Sequence, residues 1–211
     1  MKEKINKVLI LAPHTDDGEL GCGGTIARFC EEGKQVTYVA FSTCRRSLPK
    51  DWNPDTLEIE LKNATKILGI KPENLIILDY DVRNFPENRQ KILEDLVKLR
   101  AQISPDLVFI PSSFDIHQDH KTIHDEGLRA FKNHRVVGYE MPWNNLTFET
   151  SMFVKLSEEN IATKVNALKE YKSQHNRAYV NETFIRSLAY TRGVQIGVTY
   201  AESFENIRWI L

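Results

Sequence analysis

The stretch Val8-Leu9-Ile10-Leu11-Ala12, close to the beginning of the chain, decides the fold class. A parallel strand that is covered on both faces loses the alternation of polar and apolar residues and becomes a continuous apolar run of this kind. Helical periodicity follows over residues 25–32 and ends at Gly33. A buried strand that leads into a helix is the first unit of a βαβ arrangement, so the stretch predicts an α/β fold.

The same alternation continues along the chain, because short apolar stretches are separated by longer segments of helical periodicity. Further strands are predicted at residues 36–42, 75–78, 107–110, 136–140 and 153–156. Further helices are predicted at residues 55–68, 90–103, 122–131, 162–172 and 182–191. We therefore expect a mostly parallel sheet flanked by helices on both faces, in one domain that covers residues 1–211.

Composition and charge argue against several classes of protein. The chain has 211 residues, 41% of them hydrophobic and 27% charged, which is ordinary for a globular protein with a sizeable core. Its 28 basic and 29 acidic residues leave a net charge of -1, so nothing in the charge favours nucleic acid or an anionic membrane surface as a partner. No apolar run approaches the roughly 18 to 20 residues that span a bilayer. The charged N-terminus has no apolar signal segment behind it, so we expect a cytoplasmic protein.

The cysteines argue against a disulfide framework. Cys22, Cys30 and Cys44 are an odd number, and no two of them have the CxxC spacing of a zinc knuckle or a redox motif. We expect reduced thiols, as is usual for a cytoplasmic protein.

Two clusters of histidine and aspartate follow predicted strands. Pro13-His14-Thr15-Asp16-Asp17-Gly18-Glu19 comes after the first strand, and Asp115-Ile116-His117-Gln118-Asp119-His120 comes after the fourth. Ligands of open α/β sheets bind at the carboxyl ends of the strands, so both clusters are expected at the same edge. Imidazole and carboxylate are ligands of zinc and other first-row divalent metals, and a catalytic site needs about three of them with one position left open.

The spacing offers one metal ligand more than such a site needs. His14 and Asp17 are three residues apart, and His117 and His120 have the same separation. Asp16 would then be a free carboxylate that can act as a general base, and one histidine would be left to stabilise an oxyanion. This set of groups predicts metal-assisted hydrolysis of an amide or an ester.

The same residues also allow other interpretations. A histidine after a strand is often only a hydrogen-bonded loop residue, and Asp-Asp-Gly is common in turns and helix caps. A dinucleotide site is disfavoured, because the glycines after the first strand do not have the G-x-G-x-x-G spacing and no acidic residue ends the second strand. His124 is expected to support the site or lie at the surface, and His134 and His175 are expected at the surface.

Several segments resemble the PIG-L/LmbE family of metal-dependent N-deacetylases. Ala12-Pro13-His14-Thr15-Asp16-Asp17 and Leu20-Gly21-Cys22-Gly23-Gly24-Thr25 are similar to its A-H-P-D-D-E segment, and His117-Gln118-Asp119-His120 is similar to its H-x-D-H motif. Residues 164–174 resemble its K-x-x-A-L-x-x-Y-x-S-Q helix, and residues 192–204 resemble its closing segment. The resemblance thus covers nearly the whole chain.

The resemblance implies a Rossmann-like fold and hydrolysis of the acetamide of an N-acetylated amino sugar or its soluble conjugate. By position, His14, Asp17 and His120 would bind zinc, and Asp16 would be the general base. His117 would stabilise the oxyanion or protonate the leaving amine, and Asp119 would orient an imidazole. Zinc is expected first, although iron(II) takes the same ligand types.

The chain departs from the family pattern at two positions. Thr15 stands where the family usually has proline, and Gly18 stands where it has the glutamate that follows the aspartate pair. If that glutamate supports the site, the support must come from Glu19 or from elsewhere in the chain.

Substrate recognition is less defined by the sequence. Arg45 or Arg46 could hold a phosphate, a carboxylate or a sugar hydroxyl, although a solvated basic loop is an equal alternative. Trp143 could stack on a sugar face or serve in packing, and Arg192 and Tyr200 could line the pocket. The expected partner is a small amino-sugar substrate, and a homo-oligomer is left open. A hydrolase of another ester or amide, or a non-catalytic ligand-binding module of the same fold, are the alternative functions.

Overall fold

Seven strands form one mixed sheet in the computed structural model, which describes residues 5–210. The strands are β1 (Lys7–Ala12), β2 (Gln35–Ala40), β3 (Leu75–Ile77), β4 (Leu107–Pro111), β5 (Arg135–Tyr139), β6 (Met152–Leu156) and β7 (Tyr200–Arg208). Their order in the sheet is β3-β2-β1-β4-β5-β7-β6. The first five strands are parallel, whereas β7 runs antiparallel to both of its neighbours.

Six α-helices connect and cover the strands. They are α1 (Asp17–Glu31), α2 (Thr56–Ile67), α3 (Arg89–Ile103), α4 (Gln118–Ala130), α5 (Glu158–Leu168) and α6 (Glu182–Val194). Within residues 5–210, no helix combines the length and the apolar character that crossing a bilayer requires. The predicted α/β architecture is therefore confirmed, with an antiparallel extension at one edge of the sheet.

Strand β1 lies in the middle of the sheet with a hydrophobic core on each face. Its residues from Val8 to Ala12 are completely inaccessible to solvent. Val8 and Ile10 pack with apolar side chains of α1, α2, α5 and α6, whereas Leu9 and Leu11 pack with those of α3 and α4. Because successive side chains of a strand point to opposite faces, both faces of β1 must be apolar, and this explains the unbroken apolar run.

Helix α1 begins eight residues before the predicted start at residue 25, so this boundary was wrong. The glycine-rich segment indicates a turn by composition, yet it lies within the helix, with a local departure from helical geometry at Cys22. Tertiary packing explains the glycines, because a Cβ atom at Gly21 would lie only 2.4 Å from the ring of Tyr139. The helix can approach the sheet this closely only without a side chain at that position.

Three further differences lie in the second half of the chain. Helix α4 begins at Gln118, four residues before its prediction, and α5 spans Glu158–Leu168 although residues 162–172 were predicted. The start of α5 is set by a capping box between Ser157 and Asn160. Strand β7 was missed altogether, because buried glutamates interrupt its apolar pattern.

Candidate active site

The two histidine and aspartate clusters meet at the carboxyl edge of the sheet. Strands β1 and β4 are parallel neighbours, so the loops that follow them leave the sheet side by side. The first loop leads into α1 at Asp17, and the second leads into α4, where the His117 side chain caps the first turn. The two clusters, about 100 residues apart in sequence, therefore share one site.

Three ligand atoms form a nearly equilateral triangle in this site. His14 Nδ1 lies 3.1 Å from Asp17 Oδ2, Asp17 Oδ2 lies 3.2 Å from His120 Nε2, and the two histidine nitrogens are 3.3 Å apart. A tetrahedral zinc ion with bonds of about 2.0–2.1 Å keeps its ligand atoms about 3.3 Å from one another. The donor set and its spacing thus fit a zinc ion bound by His14, Asp17 and His120.

The second nitrogen of each of these two histidines faces a buried carboxylate. His14 Nε2 lies 3.0 Å from Asp119 Oδ2, and His120 Nδ1 lies 2.7 Å from Asp115 Oδ2. A carboxylate accepts the N–H of the ring nitrogen that it faces, which leaves the lone pair of the other nitrogen for a metal. The family resemblance predicted that Asp119 orients an imidazole, whereas no role was predicted for Asp115.

Replacement of Asp115 by asparagine is expected to weaken zinc binding by about 10- to 100-fold, the usual effect of losing such an outer partner. The reason is that an amide accepts the His120 proton less strongly than a carboxylate does. Competition with a chromophoric chelator would measure the dissociation constant. Asp125→Asn is the control, because Asp125 lies on α4 at the protein surface, where it pairs with Lys121. An unchanged dissociation constant in Asp115→Asn would show that Asp115 does not support the ligand.

The electrostatics of the triangle depend on its histidines. Burial raises the pKa of the Asp17 carboxyl, but His120 and His14 outweigh this effect and hold that pKa well below its usual range. Burial alone would lower the pKa of His120, yet the carboxylates of Asp17 and Asp115 raise it to about 10. In the absence of a metal, protons on the histidine nitrogens that face Asp17 therefore balance its charge. A metal ion would displace these protons.

His117 competes with Asp17 for the role of third ligand. Ligand atoms of His14, His117 and His120 all lie within 4.8 Å of one another, so three histidines are an alternative metal site. However, the backbone N–H of Asp119 donates to His117 Nδ1 at 3.2 Å, which leaves the ring proton on Nε2. Burial lowers the pKa of His117, as do His120 and His14, so the ring is a neutral donor. This tautomer and the shorter distances favour Asp17 as the ligand.

Asp16 lies at the beginning of α1 but does not cap the helix. It occupies the N-cap position, but its side chain makes no capping hydrogen bond, and it lines a cavity next to the triangle. Burial and the charge of Asp17 raise the pKa of the Asp16 carboxyl above its ordinary value, although His14 and Arg177 oppose this effect. The structure thus places a basic, uncommitted carboxylate beside the candidate metal ligands.

Glu19 lies beneath the loop that carries these residues. Its carboxyl group is completely buried and contacts the hydroxyl groups of Tyr38 at 2.5 Å and Tyr171 at 2.8 Å. Tyr171 also donates to the carbonyl of Thr15 at 2.5 Å. Burial raises the pKa of Glu19 to about 8, so a protonated Glu19 can donate to Tyr171 while Tyr171 donates to Thr15. Glu19 therefore contacts the underside of the loop through two tyrosines.

Gly18 is required by the ring of Tyr38. A Cβ atom at Gly18 would lie 2.4 Å from Tyr38 Cε2, and the backbone N–H of Gly18 donates to the Tyr38 hydroxyl at 3.1 Å. The departure from the family pattern at this position therefore comes with a tyrosine that fills the space of the missing side chain.

We expect Gly18→Ala to lower the free energy of unfolding by about 1–3 kcal/mol, the usual cost of overpacking a core. Urea denaturation followed by circular dichroism would measure the change. Gly127→Ala on α4 is the control, because a Cβ atom there would meet Ile110 at 3.2 Å, a contact that small shifts can relieve. A Gly18→Ala variant as stable as the parent would show that Tyr38 moves freely.

The cavity beside the triangle, which we call the site cavity, has a volume of about 340 Å³ and is open to solvent. Trp143 lines it and stacks on Tyr179, with ring centroids 3.8 Å apart. One face of the Trp143 indole is thus occupied in packing. Arg83 and Arg177 also line the site cavity, and no motif in the sequence predicted a role for either of them.

The other predicted substrate residues lie outside the lining of the site cavity, within the part of the chain described here. Arg45 contacts the carboxylates of Asp55, Glu58 and Asp79, and Arg46 contacts that of Asp81. Arg192 donates to the buried Glu140 through Nε and one terminal nitrogen of its guanidinium group. Tyr200 is the first residue of β7.

The remaining histidines are not metal ligands in this arrangement. His124 is buried, and its Nδ1 bonds to the carbonyl of Pro111 at 2.8 Å. His175 is exposed, as expected, whereas His134 is partly buried and packs edge-on against Phe131. The assignment of His134 to the surface was therefore only partly right.

Comparisons with known proteins identify the family of the chain. Residues 9–131 match the family described as PIG-L, GlcNAc-PI de-N-acetylase. An uncharacterised deacetylase of Escherichia coli, YaiS, is 33% identical over 174 residues, which are 79% of this chain and 90% of YaiS. A diacetylchitobiose deacetylase of Thermococcus kodakarensis is 24% identical over 94% of this chain and 82% of its own length.

A solved structure extends the likeness to the whole fold. The conserved protein TT1542 of Thermus thermophilus superposes with a TM-score of 0.80 at 27% identity, covering 99% of this chain and 97% of that protein. The family match alone covers more than half of the 211 residues, including both clusters of the site. This chain belongs to the PIG-L family of deacetylases.

Proposed function

We propose that this chain is a zinc-dependent hydrolase that removes the N-acetyl group from an amino sugar or its soluble conjugate, releasing acetate and a free amine. The observation that carries the proposal is the triangle of His14, Asp17 and His120 with an uncommitted carboxylate, Asp16, beside it. A zinc ion bound there would polarise the acetyl carbonyl and lower the pKa of water toward neutrality. The remaining chemistry falls to side chains of this chain.

Asp16 is the general base in this proposal. Its raised pKa makes it a stronger proton acceptor than an ordinary carboxylate, and it lines the cavity in which a substrate would lie. It takes a proton from the attacking water and can deliver that proton to the amine as the C–N bond breaks.

His117 stabilises the negative charge that develops on the carbonyl oxygen. Its Nδ1 is engaged by the backbone N–H of Asp119, so its Nε2–H is the donor that remains. A neutral donor held in place in this way needs no reorganisation when the oxyanion forms. Because the same ring proton can pass to the leaving amine, His117 also remains a candidate general acid.

An amino-sugar substrate is supported by the comparisons and by the site cavity. The Thermococcus relative is named for the deacetylation of diacetylchitobiose, an N-acetylated sugar. The volume of about 340 Å³ lies within the range of about 300–1,000 Å³ that small-molecule sites occupy. Iron(II) takes the same ligand types as zinc, so the preferred metal must be measured.

Acetate release tests the proposal directly. The zinc-loaded protein would be incubated with free, phosphorylated, nucleotide-linked and glycoside-linked N-acetyl amino sugars, with Asp16→Asn as the blank. We expect release from at least one member and none above background from the variant. If zinc is bound at one ion per chain and no member releases acetate, the amino-sugar proposal fails and a hydrolase of another ester or amide becomes the better hypothesis.

A further inference from the structure

The beginning of α1 is buried, so its backbone N–H groups need partners within the protein. The first N–H groups of any α-helix have no acceptor in the helix, and the side chain of the N-cap residue usually accepts one of them. In α1 the N-cap residue is Asp16, and the three residues that follow, Asp17, Gly18 and Glu19, are all buried. Because bulk water does not reach these N–H groups, their acceptors must be protein groups.

Asp16 and Glu19 have the spacing of a capping box, but α1 does not use it. In such a box the N-cap side chain accepts from the third helical residue, whose own side chain accepts from the N-cap backbone. Asp16 makes no capping hydrogen bond, and Glu19 contacts two tyrosine hydroxyls. The N-cap side chains of α4, α5 and α6, in contrast, all accept from their helices. Helices α2 and α3 also lack such a bond, but the N-cap residue of α2 and the first turn of α3 are exposed to water.

The Tyr38 hydroxyl replaces the missing cap. The backbone N–H of Gly18, the second residue of the helix, donates to this hydroxyl at 3.1 Å. It is one of the N–H groups that an N-cap side chain normally binds. The hydroxyl in turn donates to Glu19 Oε2 at 2.5 Å. Tyr38 lies on β2 and is completely inaccessible to solvent, and the absence of a side chain at Gly18 leaves room for its ring.

Tyr171 fixes the backbone just before Asp16. Its hydroxyl donates to the carbonyl of Thr15 at 2.5 Å and contacts Glu19 Oε1 at 2.8 Å. The Thr15 carbonyl belongs to the planar peptide group that leads into Asp16, so this bond fixes the orientation of that group. The ψ angle of Asp16 is -6°, whereas it is 126° to 169° at the three N-cap residues whose side chains bind their helices. With this backbone conformation, the Asp16 side chain lines the site cavity.

We propose that Tyr38 and Tyr171, held together by Glu19, are positioning residues that satisfy the backbone at the start of α1 and so leave the Asp16 carboxylate free for the reaction. This inference rests on the proposed function, in which Asp16 is the general base. A carboxylate that capped the helix would have its lone pairs bound to backbone N–H groups and would be turned away from the attacking water. The two tyrosines therefore act on the reaction only through the position of Asp16.

Removal of the Tyr38 hydroxyl is expected to lower turnover without weakening substrate binding. In Tyr38→Phe the ring keeps its place, but the Gly18 N–H loses its acceptor, and Asp16 is at the N-cap position that can supply another. A capping hydrogen bond would favour the capped carboxylate by a factor of about 2 to 30, so kcat for acetate release should fall by that factor. KM should stay unchanged, because no substrate contact is removed.

A second variant and a matched control complete the kinetic test. Tyr171→Phe should also lower kcat at constant KM, because the Thr15 carbonyl loses its donor. Tyr139→Phe should keep the kcat of the parent, since Tyr139 is equally buried but its hydroxyl donates to the carbonyl of Leu11. An unchanged kcat in Tyr38→Phe or in Tyr171→Phe would overturn the role of that tyrosine.

Thermal unfolding at saturating zinc tests the capping step without turnover. Asp16→Ala in the parent should leave the thermal midpoint nearly unchanged, because Asp16 does not cap α1. In the Tyr38→Phe protein the same change should lower the midpoint by about 2–4 °C, the usual effect of losing a helix cap in a chain of this size. Ser157→Ala at the capped start of α5 gives the reference shift in the parent. Equal shifts from Asp16→Ala in both proteins would overturn the proposal.

The inference and the proposed function fail in different ways. If no amino sugar releases acetate but Asp16→Ala lowers the midpoint only in Tyr38→Phe, the capping assignment stands and the function fails. If acetate is released and the midpoint shifts equally in both proteins, the function stands and the positioning role fails. A crystal structure of Tyr38→Phe gives a direct view, because an Asp16 carboxylate oxygen should then lie about 3 Å from the backbone nitrogen of Gly18.

Discussion

Replacement of Asp16 by asparagine is expected to lower the turnover of the zinc-loaded protein by about two to four decades, the usual contribution of a general base. The amide cannot accept a proton from the attacking water. Because Asp16 is not a corner of the triangle of ligand atoms, zinc content should stay at that of the parent. Acetate release measures turnover, and inductively coupled plasma mass spectrometry measures the metal.

Asp125→Asn again serves as the control, because it makes the same chemical change on the exposed face of α4. It should retain full activity and full zinc content. If Asp16→Asn lost its zinc, the roles of Asp16 and Asp17 would have to be exchanged. If it kept full activity, the base would be another group that lines the site cavity.

Asp17→Asn is expected to weaken zinc binding, whereas His117→Gln is expected to leave it unchanged. Asp17 Oδ2 lies 3.1 Å from His14 Nδ1 and 3.2 Å from His120 Nε2, so Asp17 is a direct ligand in this proposal. Its replacement should therefore lower the affinity for zinc by more than the factor of about 10 to 100 that is usual for an outer partner. His117→Gln should keep zinc and lower turnover by about 100- to 1,000-fold, the effect of removing one oxyanion donor. Dialysis against a graded zinc buffer, followed by metal analysis, compares the two variants with the parent.

The reverse result would identify the alternative ligand set. If His117→Gln lost zinc while Asp17→Asn kept it, the metal would be bound by His14, His117 and His120, whose ligand atoms also lie within 4.8 Å of one another. The hydrogen bond from Asp119 to His117 Nδ1 would then have to break, because it keeps the ring proton on Nε2 and occupies the lone pair of Nδ1. Circular dichroism of both variants would show that neither result comes from unfolding.

The sequence predicted the strands that have a recognisable local pattern of apolar residues. Each of β1 to β6 begins and ends within two residues of its predicted bounds. The central strands β1 and β4 are buried on both faces, and a strand of this kind is visible as an apolar run. Strand β7 escaped prediction because Glu202 and Glu205 are buried in it. Lys164 pairs with Glu202, and Ser112 and Ser113 donate to Glu205, so long-range partners compensate for these charges.

Helix starts were less predictable where tertiary contacts or caps decide them. The start of α1 is rich in glycine because Tyr38 and Tyr139 occupy the space that side chains would need, and not because the chain turns there. The first turn of α4 depends on a histidine cap, His117, which is not a usual capping residue. In both cases the start of the helix is not marked by apolar residues at helical spacing, so the periodicity could not predict it.

The sequence by itself determined the α/β fold and the set of groups that chemistry requires, since strand patterns and three-residue spacings are local properties. Only the tertiary structure decided which atoms meet. His14 and Asp119 are 105 residues apart, yet their contact sets the tautomer of a candidate metal ligand. Arg83 also meets the site through a residue distant in sequence, because its backbone N–H donates to Asp119. Arg177 lines the same site cavity although it lies more than 150 residues after His14 in the sequence. Such partners are brought together by the packing of helices on the sheet, and no spacing along the chain records that packing.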